Sequence, residues 1–194
     1  MQHQISNATQ YDRYPHIFNQ CVTYFKGKNP KILSFGCSDG REVETLRELY
    51  FPNSFIDGVD ISNDMINQCK SKPFDEKINF YLADDFNEHS YDLIFCMSVL
   101  CRWPQTRSLS NCSEEYTFSQ FENQLIQLDK RLNKNGLLVI YNSNFMFTDS
   151  KISSKYQVLS SNKIIESGFV KKFDKSHKEY LEIYPHCIFI KKHL

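Results

Sequence analysis

Apolar residues alternate between two spacings along this chain. Ile32, Leu33 and Phe35 form a short run broken only by Ser34, which reads as a buried strand. The run breaks at Gly36-Cys37-Ser38-Asp39-Gly40, and helical spacing resumes at Val43, Leu46 and Leu49. A second strand over 54–61 runs to Asp60 and Ile61, and Met65, Ile66 and Cys69 then share one face of a helix over 63–71. Strands follow over 77–82 and 91–100, the latter nearly continuously apolar and so buried on both faces. Thr117 with Gln120 forms a capping box, after which Phe118, Phe121, Leu125, Leu128 and Leu132 stripe one helix face. Asn135-Gly136 turns the chain into a strand over 137–141. Residues 155–173 read as a helix passing into a strand at 168–173, and 180–191 as the last strand. Ahead of all this, Ile17, Phe18, Cys21, Val22 and Phe25 recur at helical spacing behind Pro15, and residues 1–10 read as loose. The alternation predicts an α/β protein with helices on both faces of a mostly parallel sheet.

The first strand, glycine loop and helix are the opening of a sheet that binds a nucleotide-like ligand at its first turn. Gly36 lets the chain leave the strand sharply, and Gly40 lets the helix start close by. Asp60 lies where a carboxylate would take the two hydroxyls of a ribose. It also precedes a helix and is placed to cap it.

The stretches KILSFGCSDG, GVDIS, YLADDF and YDLIFCMSVL, in that order, resemble the class I S-adenosylmethionine-dependent methyltransferases. The loop and DLIFCMSVL are also locally similar to the chemotaxis-receptor methyltransferases. The resemblance implies a three-layer Rossmann-like fold, a seven-stranded mostly parallel sheet with an antiparallel last strand, and S-adenosylmethionine as cofactor. It places the cofactor among Gly36, Cys37, Ser38, Gly40, Glu42, Asp60, Ile61, Met65, Asp84, Asp85, Phe86 and Met97. In it Asp84 accepts from the adenine amino group, Phe86 packs on the ring, and Ile61 and Met65 flank it. Glu42 stands where the chemotaxis-type loop carries a Glu, which implies that it takes the cofactor's ammonium, although as an acid in the first turn it also suits the helix end; Ser34 replaces the family's usual acid two residues before the first glycine. Tyr11, Arg13, Tyr14 and His16, with Arg102, Trp103 and Asn142, are the candidates for the substrate side. Met97-Ser98-Val99-Leu100 differs from the Asn/Asp-Pro-Pro-Tyr of methylases acting on base nitrogens.

The sulfonium methyl is already activated, so neither metal nor covalent nucleophile is called for. A general base is needed only for an acceptor that carries a proton, and His16, His186 and Tyr184 are the available groups. Two other readings stand beside this one. A domain that binds the cofactor without turnover would use the same residues. A nicotinamide oxidoreductase is disfavoured, since Ser38 occupies the second glycine of Gly-x-Gly-x-x-Gly.

Composition narrows the rest. The chain has 194 residues, enough for one domain: a cap segment over 1–30 and a core over 31–194. With 23 basic and 23 acidic residues, no global field draws it to nucleic acid or membrane, though lysine prevails from residue 150 onward. Seven cysteines without zinc spacing suggest reduced thiols, and no apolar run is long enough to span a bilayer. A polar N-terminus without a signal core completes a cytoplasmic expectation. The methyl acceptor and the oligomeric state are not legible.

Overall fold

The computed structural model describes residues 3, 4, 6–86, 90–159 and 168–193. Seven strands make one sheet in the order β3-β2-β1-β4-β5-β7-β6. They are β1 (Ile32–Phe35), β2 (Ile56–Asp60), β3 (Ile78–Leu82), β4 (Tyr91–Met97), β5 (Leu132–Tyr141), β6 (Tyr156–Val158) and β7 (Ile188–Lys191). The first five pair in parallel, and β7 runs antiparallel to both β5 and β6. The expected sheet, with its antiparallel last strand, is the observed one. Order reverses between β1 and β4, which opens a crevice at their carboxyl ends.

Alternation along each strand decides which face it feeds. Ile32, Leu93, Phe95, Leu137 and Val139 face α1 (Pro15–Phe25), α2 (Arg41–Thr45) and α3 (Asn63–Lys70). Leu33, Ile94, Cys96, Leu138 and Ile140 face α4 (Phe118–Arg131). Phe121, Leu125 and Leu128 of α4 are fully buried there, worth about 1.5–3 kcal/mol each. The capping box forms as the sequence predicts, with Gln120 N–H donating to the Thr117 hydroxyl and Thr117 N–H to the Gln120 amide. Helix α2 loosens into a π-turn over Leu46–Tyr50. Strand β5 begins earlier than expected, at Leu132, with Asn135 and Gly136 inside an irregularity of its pairing with β4.

The C-terminal third differs from the sequence reading. Where the predicted helix begins, Tyr156, Gln157 and Val158 alternate buried and exposed, and they pair with β7 as a strand. The middle of that predicted helix lies outside the described residues. The strand expected at 168–173 is a loop, in which Phe173 makes isolated bridges to Phe145 and Glu179. The last strand starts at Ile188, later than expected, and pairs with β5 through residues 188–190. Upstream of it Leu181 and Ile183 stand 87% and 69% exposed.

Candidate active site

At the switch point lies a cavity of about 360 Å³. Its floor comes from the ends of β1, β2 and β4, and one wall from α1 and α2. Its roof is the chain ahead of α1: His3, Gln4 and residues 6–10 line it. These residues are not loose. His3 is buried, with its Nδ1 2.7 Å from the Tyr116 hydroxyl. The Ser38 hydroxyl donates to the Asn7 carbonyl at 2.9 Å, and Arg13 donates to the Ala8 carbonyl at 3.2 Å.

The glycine loop is tied to β2. Gly36 N–H and Cys37 N–H both donate to the Val59 carbonyl, at 2.7 and 3.0 Å. Gly36 has φ +79°, and a Cβ there would come within 2.4 Å of Val99 Cγ2. Only glycine meets both conditions. Gly40, at φ +85°, precedes α2, and its N–H bonds the Cys37 carbonyl.

Asp60 closes this loop from below. One carboxylate oxygen accepts Ser38 N–H at 2.8 Å, and the other accepts Ser62 N–H at 2.9 Å. The cap of α3 is Ser62, whose hydroxyl accepts Met65 N–H, so capping is not the task of Asp60. Each carboxylate oxygen keeps a further lone pair beside the cavity that Asp60 lines. Glu42, in the first turn of α2, also lines the cavity. Burial pushes its carboxyl up to about 7, against the opposing pull of the Ser34 hydroxyl and the Arg13 charge.

Of the residues expected at the cofactor, Gly36, Cys37, Ser38, Glu42, Asp60, Ile61 and Met97 line this cavity. Gly40 shapes the loop from outside it, and Met65 sulfur stands 3.7 Å from the Ser38 hydroxyl. Asp84 and Asp85 are exposed on a 3₁₀ turn, whose first residue, Ala83, does reach the cavity. Phe86 is packed away under the Arg131 guanidinium and against Tyr91. Of the substrate candidates, Arg13 and Tyr14 line the cavity. Tyr11 bonds Glu48, His16 lies edge-on to Tyr141, and Trp103 packs against Phe169. Arg102 N–H is held by the Asn144 side chain. Asn142 is buried behind the wall, bonded to Tyr14 and Ser98. Tyr184 and His186 pair with each other, outside the cavity lining. Sequence reasoning missed the cavity-lining roles of His3, Asn7, Ser98 and Val99. None carries a local signal, since their place depends on the strap and the strand end meeting.

The residues fit S-adenosylmethionine. Two carboxylates and a guanidinium, Glu42, Asp60 and Arg13, border one cavity beside a glycine where a Cβ would not fit. A half-buried carboxyl in the first turn of α2 suits an ammonium. It would repel a dinucleotide pyrophosphate, which needs the helix end for itself.

Comparison with known proteins agrees. A model of the methyltransferase domain family matches residues 33–138. Malonyl-[acyl-carrier protein] O-methyltransferase 1 of Ilyobacter polytropus is 30% identical over 189 residues, covering 86% of this chain and 69% of the relative. The chain belongs to the class I S-adenosylmethionine-dependent methyltransferases. Among solved structures, the StiE O-methyltransferase segment (residues 942–1257) aligns with TM-score 0.48 and 18% identity, over 76% of this chain and 52% of its own. The plantazolicin methyltransferase BpumL, solved with a pentazolic desmethyl analogue and S-adenosylhomocysteine, aligns with TM-score 0.44 and 20% identity, over 64% and 46%. The chain thus spans about half the length of these solved structures. No helix among the described residues is long and apolar enough to cross a membrane, and no cluster of metal-ligating side chains occurs among them.

Proposed function

We propose that the protein transfers the methyl group of S-adenosylmethionine to a small-molecule or protein acceptor, with oxygen as the accepting atom. The observation that carries this is the joint placement of Gly36, Glu42 and Asp60 on one cavity at the switch point. The name of the Ilyobacter relative, an O-methyltransferase, supports oxygen. Bound there, the cofactor supplies a sulfonium-activated methyl group. Asp60 would hold the ribose hydroxyls with its remaining lone pairs. Glu42 would meet the ammonium and Arg13 the carboxylate of the amino-acid end. Ile61 and Ala83 would border the base. The lining formed by His3, Gln4 and residues 6–10 would exclude water, so that acceptor and methyl meet in a dry, aligned site.

The balanced charge and the free, buried cysteines support a single cytoplasmic domain that binds neither nucleic acid nor membrane. Calorimetry with S-adenosylmethionine, S-adenosylhomocysteine and NAD tests the cofactor reading. Micromolar binding of the first two and none of NAD is expected; NAD binding equal to theirs would overturn it. Binding of the cofactor with no methylated product from any acceptor would leave a regulatory, non-catalytic domain.

A further inference from the structure

Two thiols meet beneath the glycine loop. Cys37 belongs to the loop itself, and Cys69 lies in the last turn of α3. Both are free and buried. Both donate to one oxygen, the Ser38 carbonyl: Cys69 Sγ stands 3.2 Å from it and Cys37 Sγ 3.8 Å. Each sulfur is packed over a glycine. A Cβ at Gly40 would come within 3.0 Å of Cys69 Sγ, and one at Gly58 within 3.1 Å of Cys37 Sγ. The thiols also hydrogen-bond each other, and the proton stays with Cys37. That contact lowers Cys69 and, together with burial, raises Cys37.

Their places relative to the cavity differ. Cys37 borders it, while Cys69 is enclosed outside the lining. Among the described lining residues Cys37 is the one cysteine. A small neutral oxidant entering the cavity therefore meets Cys37, with Cys69 directly behind it. A surface-exposed thiol is not required for such a pair, only a route to one of the two sulfurs.

The residue between the thiols and the cofactor is poised. Ser38 has φ +50°, a left-handed conformation disfavoured for a side chain. It is held from three sides: its N–H by Asp60, its hydroxyl by the Asn7 carbonyl, and its carbonyl by the two thiols. A disulfide would remove both S–H donors from that carbonyl. It would also draw the sulfurs to about 2.05 Å and pull the loop towards α3. The Ser38 N–H shares Asp60 with the ribose, so the strain reaches the cofactor.

Resting on the methyl-transfer reading above, we propose that Cys37 and Cys69 are a redox switch: hydrogen peroxide closes a disulfide between them, and the disulfide weakens cofactor binding. The Cys37 proton passes to Cys69, and the Cys37 sulfur attacks one peroxide oxygen. The O–O bond breaks, leaving a sulfenic acid on Cys37 and, after proton uptake, water. The Cys69 sulfur then attacks the Cys37 sulfur, the S–O bond breaks and a second water leaves. Two thiols and one peroxide become one disulfide and two waters. The sulfurs lose two electrons and the peroxide gains them.

The test treats the reduced wild-type protein with hydrogen peroxide. A mass lower by two hydrogens is expected, with non-reducing peptide mapping joining Cys37 to Cys69. Affinity for S-adenosylhomocysteine should fall at least about tenfold and return with dithiothreitol. Saturating S-adenosylhomocysteine should slow the bond's formation, since ligand and disulfide oppose each other. Cys69→Ala should stop at the sulfenic acid, captured on Cys37 by dimedone, with no bond formed. Its affinity before treatment is its own reference. A disulfide joining other cysteines, or none at all, would overturn the proposal. So would a Cys37–Cys69 bond that leaves affinity unchanged, or an equal peroxide-induced loss of affinity in Cys69→Ala. Failure of the reduced wild-type protein to bind S-adenosylhomocysteine would instead remove the methyl-transfer reading, and the mass and peptide map would still decide whether the bond forms.

Discussion

The Ser34 hydroxyl donates to Glu42 Oε1 at 2.8 Å, joining the middle of β1 to the first turn of α2. The family's usual acid stands two residues before the first glycine, where this chain has Ser34. The carboxyl comes instead from α2, and the serine points it. An acid is thus supplied to the same crevice from a different backbone position. Its remaining oxygen and its accessible surface belong to the cavity.

Replacing this carboxyl has a signed pH consequence. Burial raises it from 4.5 to about 7, so the folded protein holds that proton more tightly than the unfolded chain does. Its stabilising share is full below about pH 4.5 and is lost as pH rises through about 7. Glu42→Gln is therefore expected to raise stability at pH 8 by roughly 1–3 kcal/mol, and to change little at pH 4.5. S-adenosylmethionine affinity should fall about tenfold or more in the same variant. Urea unfolding at the two pH values, with calorimetry at pH 8, checks both. A variant that binds as tightly as wild type would remove the ammonium role.

Asp60 joins a ligand role to a structural one. Its two backbone acceptor bonds hold the glycine loop against the turn into α3. Asp60→Ala should cost about 2–4 kcal/mol of stability and at least tenfold in cofactor affinity. Asp60→Asn keeps one acceptor and should lie between on both scales. Affinity unchanged on the folded fraction of Asp60→Ala would leave a purely structural residue.

At Gly36 two penalties act together and can be separated. Gly36→Ala places a Cβ against Val99 and forces alanine to φ +79°. The left-handed backbone alone costs about 1–2 kcal/mol. Gly36→Ala with Val99→Ala should recover the steric part of the loss and leave the backbone part. Thermal unfolding of the single and double variants measures the difference. Full recovery in the double variant would mean that strain at this turn is negligible.

Lys172 carries a second pH signature, of opposite sign. It is buried, donating to the Ser143 carbonyl and hydroxyl, and burial pulls its amine down to about 7. The folded state prefers the neutral amine, so this residue's contribution improves as pH rises from about 7 towards 10.5. Lys172→Met should stabilise the protein at pH 7 by on the order of 2 kcal/mol, with the gain shrinking at higher pH. Chemical denaturation across that range should show the two curves converging. Parallel curves would show that the amine stays charged when buried.

The sequence by itself determined the first five strands, the helices α1 to α4, the glycine loop and Asp60. Each rests on local order: apolar runs for buried strands, helical spacing for one-sided faces, Thr117 and Gln120 for a cap, glycine where φ is positive. The C-terminal third escaped this reading because its strands are short and made by pairing. Residues 156–158 become a strand only because β7 runs beside them, and β7 is itself placed by its antiparallel pairing with β5. The site divided the same way. The expectation for Asp60 rests on its offset from the loop and that for Glu42 on the family resemblance, and both residues line the cavity. Ser98 meets Asn142 only because β4 and β5 are neighbours, 44 residues apart in the chain, and Tyr14 joins them across 128. His3 reaches Tyr116 across 113 residues, roofing the cavity from a stretch with no periodicity. Such contacts depend on where the sheet places chain ends in space, which no local spacing encodes.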